Sequence, residues 1–517
     1  MIARAIRGGE PPANLGRHAV PVLAAVSALT IIALTAMLLL DAPRPMVSVL
    51  QVVLIAVFLG LALLDLRAAV AIAMLELAVA GASGQWTRFP GGISGRVALD
   101  MIVAFAGAVW LLRDWRRTGR LDLGRYGPHA LAIAILLPLI WIPLGLLNGN
   151  LPRDAVADGN GHLFLAFSLA CIALIRQGHG AWLRRWLLVV CAVNAIVTLA
   201  MIVVILAGIV PLRTLADILY SDLLAGNVIG FQSNGAFRFF LASGLYLQIG
   251  LALVAWRLLQ QPRSVFYWVL YAILLIDVAA TYTRGFWIGA VLGLAAVLVL
   301  GSASWRRAAV VVGGTAAVFV LATAVAAPFN FSVPTYVLQR ALSITAIEPL
   351  PIPDEPGNEG SSGSGGGISA DTAGALSNQI RVHQAEVLIG HIVERPILGH
   401  GFGSIAPDYR YAQIFSYELA FLDLLYKTGI VGLLLYISFP VRLIIDALRA
   451  RIGRLTIPAG VSRREVAVVV SIVGSIMVSG ATNPYFLSAF GLMPIIVMIA
   501  WLDPIRPTSD EQAPPGS

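Results

Sequence analysis

Long apolar runs, broken by short polar loops that carry arginine, set the pattern of this chain. A run of about 20 apolar residues makes a helix long enough to cross the hydrocarbon core of a bilayer, since each residue adds about 1.5 Å of rise. A window of about 19 residues places such helices at roughly 19–40, 46–64, 68–83, 96–112, 129–147, 160–175, 184–209, 238–258, 265–282, 286–301, 308–327, 418–446, 466–482 and 486–502. The fold expected is therefore an all-α polytopic membrane protein with about fourteen transmembrane helices. The first run is longer than a signal-peptide core and is followed by many others, so it reads as a retained helix.

Composition agrees with this class: 58% of the 517 residues are hydrophobic and 12% are charged. A net charge of +8 would suggest nucleic acid in a soluble chain, but here the arginines fall in loops, where they write membrane orientation. No nucleic-acid partner is expected; the lipid bilayer is. With the N-terminus and its Arg4, Arg7 and Arg17 inside, the loops "RDWRRTGRLDLGR", "RQGHGAWLRR", "RLLQQPR", "SASWRR" and "RLIIDALRARIGRLTIPAGVSRRE" all fall on the cytoplasmic side. An even number of spans, with both termini inside, follows from that pattern. Cys171 and Cys191 lie within apolar runs and read as packing residues.

The opposite side carries the long segments, 211–237 and 328–417. The chain thus divides into N-terminal membrane helices at 1–327 (about 11 spans), a periplasmic loop at 328–417, C-terminal helices at 418–502 (about 3 spans) and a cytoplasmic tail at 503–517. Within the loop, "PIPDEPGNEGSSGSGGGISADTAGA" cannot bury a core, so 351–376 reads as a disordered insertion. The next stretch, 378–395, has helical periodicity, with Ser377 or Asn378 as N-cap and Pro396 as the stop.

Arg284, in "TYTRGFWIG", interrupts two apolar runs on the side where arginine is disfavoured, so it has either a headgroup or a bound anion to meet. Asp277 lies two helical turns earlier on nearly the same face and is placed to neutralise or orient it. Tyr282, Phe286 and Trp287 suit a membrane-interface belt.

Three stretches resemble one family. "TYTRGFWIGAVLGL", "RVHQAEVLIGHIVERPILGHGFG" and "YELAFLDLLYKTGIVGLLLY" are similar, in order, to motifs of the O-antigen polymerase and O-antigen ligase family of bacterial membrane glycosyltransferases. The likeness covers the second half of the chain. Departures occur at Glu418, Leu419, Lys427 and Ala385, where the family has histidine, asparagine, glutamate and tryptophan.

The resemblance implies a C-type membrane glycosyltransferase fold in the bacterial inner membrane, with its site facing the periplasm. The donor would be an undecaprenyl-diphosphate-linked glycan and the acceptor another glycan, transferred with inversion. No cofactor or metal is implied; a chain-length regulator protein is a further partner. Diphosphate leaves with growing negative charge, which arginine stabilises through paired hydrogen bonds. Arg284, Arg381 and Arg238 are the candidates, with Arg284 and Arg381 placed as catalytic. Glu418 is the candidate base for the acceptor hydroxyl. Gly399, His400 and Gly401 are candidate substrate contacts, because glycine lets backbone approach a ligand. His383 and Glu386 lie roughly 200° and 140° from Arg381 around the helix. Lys427, the only lysine, reads as an i,i+4 partner of Asp423, and Glu76 and Asp100 as costly acids without a named partner.

Three functions follow from this reading. The first is a polymerase that transfers a glycan onto a lipid-linked repeat unit. The second is a ligase acting on lipid A core or protein. The third is a lipid-linked-oligosaccharide flippase, which should keep charges along a midplane pathway and show repeated halves.

Overall fold

A computed structural model describes residues 19–27, 29–30, 44–79, 95–208, 228–231, 237–240, 242–281, 283–326, 370–407, 417–481 and 483–504. Residues 19–27 and 29–30 of the first expected run are helical, while 31–40 lie outside the described residues. The helices that follow are α1 (Arg44–Leu64), α2 (Leu66–Val79), α3 (Gly95–Thr118), α4 (Gly127–Leu147), α5 (Pro152–Leu163), α6 (Ser168–Arg176) and α7 (Gly180–Leu206). An antiparallel hairpin follows, β1 (Val228–Phe231) with β2 (Phe237–Phe240), in which Gly230 pairs with Arg238. Then come α8 (Leu245–Gln260), α9 (Val265–Ala280), α10 (Arg284–Ala296), α11 (Trp305–Ala326) and α12 (Ala370–Glu394). The chain closes with α13 (Ala420–Arg451), α14 (Ala467–Ala481), α15 (Ala489–Val497) and α16 (Ile499–Leu502).

Helix dominates, as expected, but the span count does not hold. Among the described residues six helices are long and apolar enough to cross a membrane, not about fourteen. They are Gly127–Leu147, Pro152–Arg176, Gly180–Val204, Arg284–Gly301, Trp305–Ala322 and Ala420–Arg451. Five more apolar helices are shorter. Hydropathy counts apolar residues without knowing where a helix breaks. Asp65 accepts from the amides of Arg67 (2.9 Å) and Ala68 (3.2 Å) and caps α2, whose 14 residues rise only about 21 Å. The 16 residues of α8 or α9 rise only about 24 Å against a core of about 30 Å. The run at 486–502 folds as a 3-10 turn, α15 and α16, with every residue of both helices buried. Protein rather than lipid surrounds these two helices, so their apolar character reports a core.

Small residues set the closest helix contact. Gly285, Gly289 and Gly293 of α10 face Ser471, Ser475 and Ser479 of α14, a small-residue seam that lets two backbones meet. Ser471 Oγ donates to the Gly293 carbonyl (2.6 Å) and Ser479 Oγ to that of Gly285 (2.8 Å), so the seam is hydrogen-bonded as well as packed. Phe286 is fully buried against Tyr485, and the Trp287 indole donates across the turn to the Val278 carbonyl (2.9 Å). Both aromatics therefore fasten the α9–α10 turn, and Tyr282 lies outside the described residues.

The basic loops gather at one end. Arg176 pairs with Asp122 (3.0 Å) and Asp503 (3.1 Å), the Arg125 amide reaches Asp503, Arg184 reaches the Ala500 carbonyl, Arg307 that of Leu259 and Arg451 that of Leu300. The other end holds the α4–α5 and α9–α10 turns, the start of α13 and the Pro484–Leu487 turn. Helix α12 begins at Ala370, inside the stretch expected to be an insertion, and the rest of that stretch lies outside the described residues.

Candidate functional site

Helix α12 lies against the start of α13 through one face. Leu388 and Ile392 pack with Tyr417 and Tyr426, and on the same stripe Gln384 accepts from the Leu419 amide (3.1 Å). One turn further along, this docking carries Arg381 to Glu418, with Nη2 and Oε2 2.8 Å apart. The pair is partly open to solvent: Glu418 keeps about half of its side-chain exposure and Arg381 about a quarter. Two residues chosen for different chemical roles thus form one ion pair. Glu386 points into solvent, while His383 is half-buried.

Arg284 is half-buried in the first turn of α10. An aromatic chain links that turn to the start of α13: Phe286 meets Tyr485 at 5.2 Å between centroids, and Phe421 meets Phe486 at 5.4 Å. The first turns of α10 and α13 therefore both pack on the Pro484–Leu487 turn. Gly244, at the head of α8, packs against Phe286, so β2 and Arg238 lead into the same end. The side chain of Arg238 lies outside the described residues. Asp277 is buried in α9 and neither of its carboxylate oxygens accepts a hydrogen bond, so the expected bond to Arg284 is not formed.

The glycine loop after α12 is a wedge between helices. Gly399, Gly401 and Gly403 have φ of 69°, 85° and 78°, where a side chain would be strained. Their approaches are to backbone: Gly399 to Lys427 and Gly429, Gly401 to Gly145, Gly403 to Ala155. The amides of His400 and Gly401 donate to the Tyr426 (3.0 Å) and Lys427 (2.8 Å) carbonyls, and that of Phe402 donates to Trp141 (2.9 Å). Gly429 breaks α13 here, with φ 63°, and the freed amide of Ile430 donates to Pro396 (2.9 Å). His400 stacks on Tyr426 at 4.7 Å, and its Nε2 donates to the His391 carbonyl (2.9 Å). That bond fixes the proton on Nε2 and leaves Nδ1 as the acceptor in the neutral ring.

Beneath the ion pair lies a buried charged group that sequence reasoning caught only in part. Lys427 Nζ contacts Asp423 (2.8 Å) and Asp158 (2.9 Å) and stands 5.8 Å from the Tyr417 ring centre. The second oxygen of Asp158 accepts from the Gly403 amide (3.0 Å). Burial pushes the Tyr417 hydroxyl above its ordinary range, while the Ala406 amide that it accepts acts the other way. His162, one turn beyond Asp158 in α5, is buried between Phe402 and Tyr436. The apolar run at 160–175 leaves Asp158 outside any expected helix, whereas α5 starts at Pro152 and carries both Asp158 and His162. Their i,i+4 spacing was the available signal. Glu76 also has its partner, Arg96, through Nε (3.0 Å) and Nη2 (2.9 Å), with the guanidinium over Phe490 and Asp100 one turn along. Among the described residues, no three His, Cys, Asp or Glu side chains come together as metal ligands.

Residues 269–437, roughly a third of the chain, match the family model described as O-Antigen ligase. This segment runs from α9 through the first half of α13 and contains Arg284, Arg381, the glycine loop and Glu418. The match places residues 269–437 in that family and supports a glycan-transferring role at the membrane. No curated protein and no solved structure matches.

Proposed function

We propose that this chain, with its O-antigen-ligase-family segment at 269–437, moves a glycan from an undecaprenyl-diphosphate carrier to an acceptor hydroxyl at the end of the bundle that holds Arg381 and Glu418. The 2.8 Å Arg381–Glu418 pair carries this reading. A guanidinium for phosphate and a carboxylate for a proton are the two groups that the reaction needs, and here they touch.

In the transfer, the acceptor oxygen bonds to the anomeric carbon as the bond to the diphosphate oxygen breaks. The electron pair stays on the diphosphate, and the acceptor proton passes to Glu418. Arg381 and Arg284 meet the growing phosphate charge, which is worth most in a site closed to water. The pair also suggests an order of events. Donor diphosphate draws Arg381 away from Glu418, and the released carboxylate becomes a base only when there is a leaving group to expel.

The family description favours a ligase, with lipid A core or protein as acceptor, over the polymerase that the sequence departures put first. Polymerisation is kept as the second reading because Glu418 and Lys427 stand where the family motif has histidine and glutamate. Lipid-linked glycans in a deletion strain separate the two: long carrier-linked chains accumulate without a ligase, single repeat units without a polymerase. Glu418→Gln should lower transfer by about 100-fold or more, and Arg381→Lys by on the order of 100-fold, both at normal membrane levels. Wild-type product from Glu418→Gln would remove the base assignment. We place this end of the bundle at the periplasmic face of the inner membrane.

A further inference from the structure

At the opposite end, a cleft of about 600 Å³ opens between the start of α4 and the last turns of α13. Arg125, Arg442 and Arg449 line it, against a single carboxylate, Asp446. Its other wall is apolar. Val441 and Ile445, both partly exposed, begin a stripe that continues through Leu448 and Ile452 at helical spacing toward the outside of the bundle.

The arginines are positioned rather than loose. The Arg442 guanidinium stacks over Tyr126 at 5.3 Å, and its Nε lies 3.8 Å from Asp446. The Tyr126 hydroxyl donates to Asp446 (3.1 Å), and Arg449 Nη1 lies 3.5 Å from the same carboxylate. Ser438 gives its proton to the Leu435 carbonyl (2.6 Å), so the 2.7 Å contact with His129 must be donated by His129 Nε2. The His129 Nδ1 lone pair then faces Arg442 Nη1 at 3.5 Å. Asp446 offsets one of three guanidinium charges, and the cleft keeps a surplus of about two positive charges at the mouth of an apolar wall.

We propose that this cleft binds the phosphate headgroup of an anionic phospholipid, with its acyl chains along the Val441–Ile445 wall. Arginine forks match a phosphodiester bidentately, and basic recesses between helices at a membrane surface are suited to such headgroups. Free phosphate would share the arginines and leave the wall unused. The cleft lies about 40 Å from Glu418 along α13, at about 1.5 Å per residue, so it stands independently of the transfer reading.

The test uses the full chain purified in neutral detergent and titrated with phosphatidylglycerol, phosphatidylcholine or inorganic phosphate. Thermal midpoint and lipid retained in native mass spectrometry are the readouts. Phosphatidylglycerol should raise the midpoint and be retained, with the other two inert. Arg442→Gln/Arg449→Gln should weaken its apparent affinity by roughly tenfold or more. Arg116→Gln/Arg120→Gln, which removes two exposed charges from the same end, should leave it unchanged. Should the double variant not keep its elution profile, Arg449→Gln alone, at 60% side-chain exposure, should still show a several-fold loss. Equal effects of phosphatidylcholine or of inorganic phosphate, or an unaltered preference in the Arg442 and Arg449 variants, would overturn the proposal.

Discussion

Lys427 shows what one buried charge does in this protein. Its ammonium sits between two carboxylates from different helices, and one of those carboxylates also holds the Gly403 amide of the wedge loop. Lys427→Met would remove the cation and leave Asp158 and Asp423 facing each other without water. Breaking such a group typically costs about 3–5 kcal/mol, so the variant should show sharply lower membrane levels and a lower thermal midpoint. A midpoint within a degree or two of wild type would mean that water replaces the ammonium. The i,i+4 half of this group was legible in the sequence, since Asp423 and Lys427 share a helix face. The Asp158 half was not, because its partner lies 269 positions away and only tertiary packing joins them. Arg381 and Glu418 were likewise visible as separate residues, but their pairing depends on how α12 lies on α13.

Two glycine patterns organise the elements around the site, each by allowing backbone to meet backbone. In the wedge loop, Gly401 has φ 85° and a side chain there would run into Gly145 of α4. Gly401→Ala should therefore unseat the loop, lower the thermal midpoint and abolish transfer. Gly390→Ala, in α12 with open space around its Cβ position, should be neutral or slightly stabilising through helix propensity. If both variants behave alike, the loop does not depend on its close approach. In the α10–α14 seam, Gly289→Val would press on Ser479 and Gln248 and tilt the helix that begins with Arg284. The spacing of these glycines could be read from the sequence, and a close approach could be inferred from it. What they approach could not be read: in this structure the loop glycines meet the backbone of neighbouring helices.

For the molecule as a whole, hydropathy found where apolar helices occur but not how long they stay continuous or what surrounds them. Short helices, 3-10 turns and enclosure by protein account for part of the gap, as the 14-residue α2 and the wholly buried α15 and α16 show, and residues 31–40 of the first expected run lie outside the described residues. The polarity of the bundle was more legible than its span count. Arginine is costly to carry across a bilayer, and each basic loop of the expected cytoplasmic set contacts others at one end. Two membrane faces with different chemistry follow: a charged end bearing the lipid cleft, and an end bearing the Arg381–Glu418 pair. Cysteine labelling can test this polarity, because Cys171 and Cys191 are fully buried and give little background. Arg120→Cys, in the exposed basic loop, and Val393→Cys, 72% exposed near the end of α12, place one thiol at each end. In intact cells a membrane-impermeant maleimide should modify only the residue 393 thiol, and permeabilisation should expose the thiol at residue 120. Labelling of both from outside, or of the residue 120 thiol alone, would reverse or dissolve the assignment, and the glycan-transfer site would have to be sought at the other face.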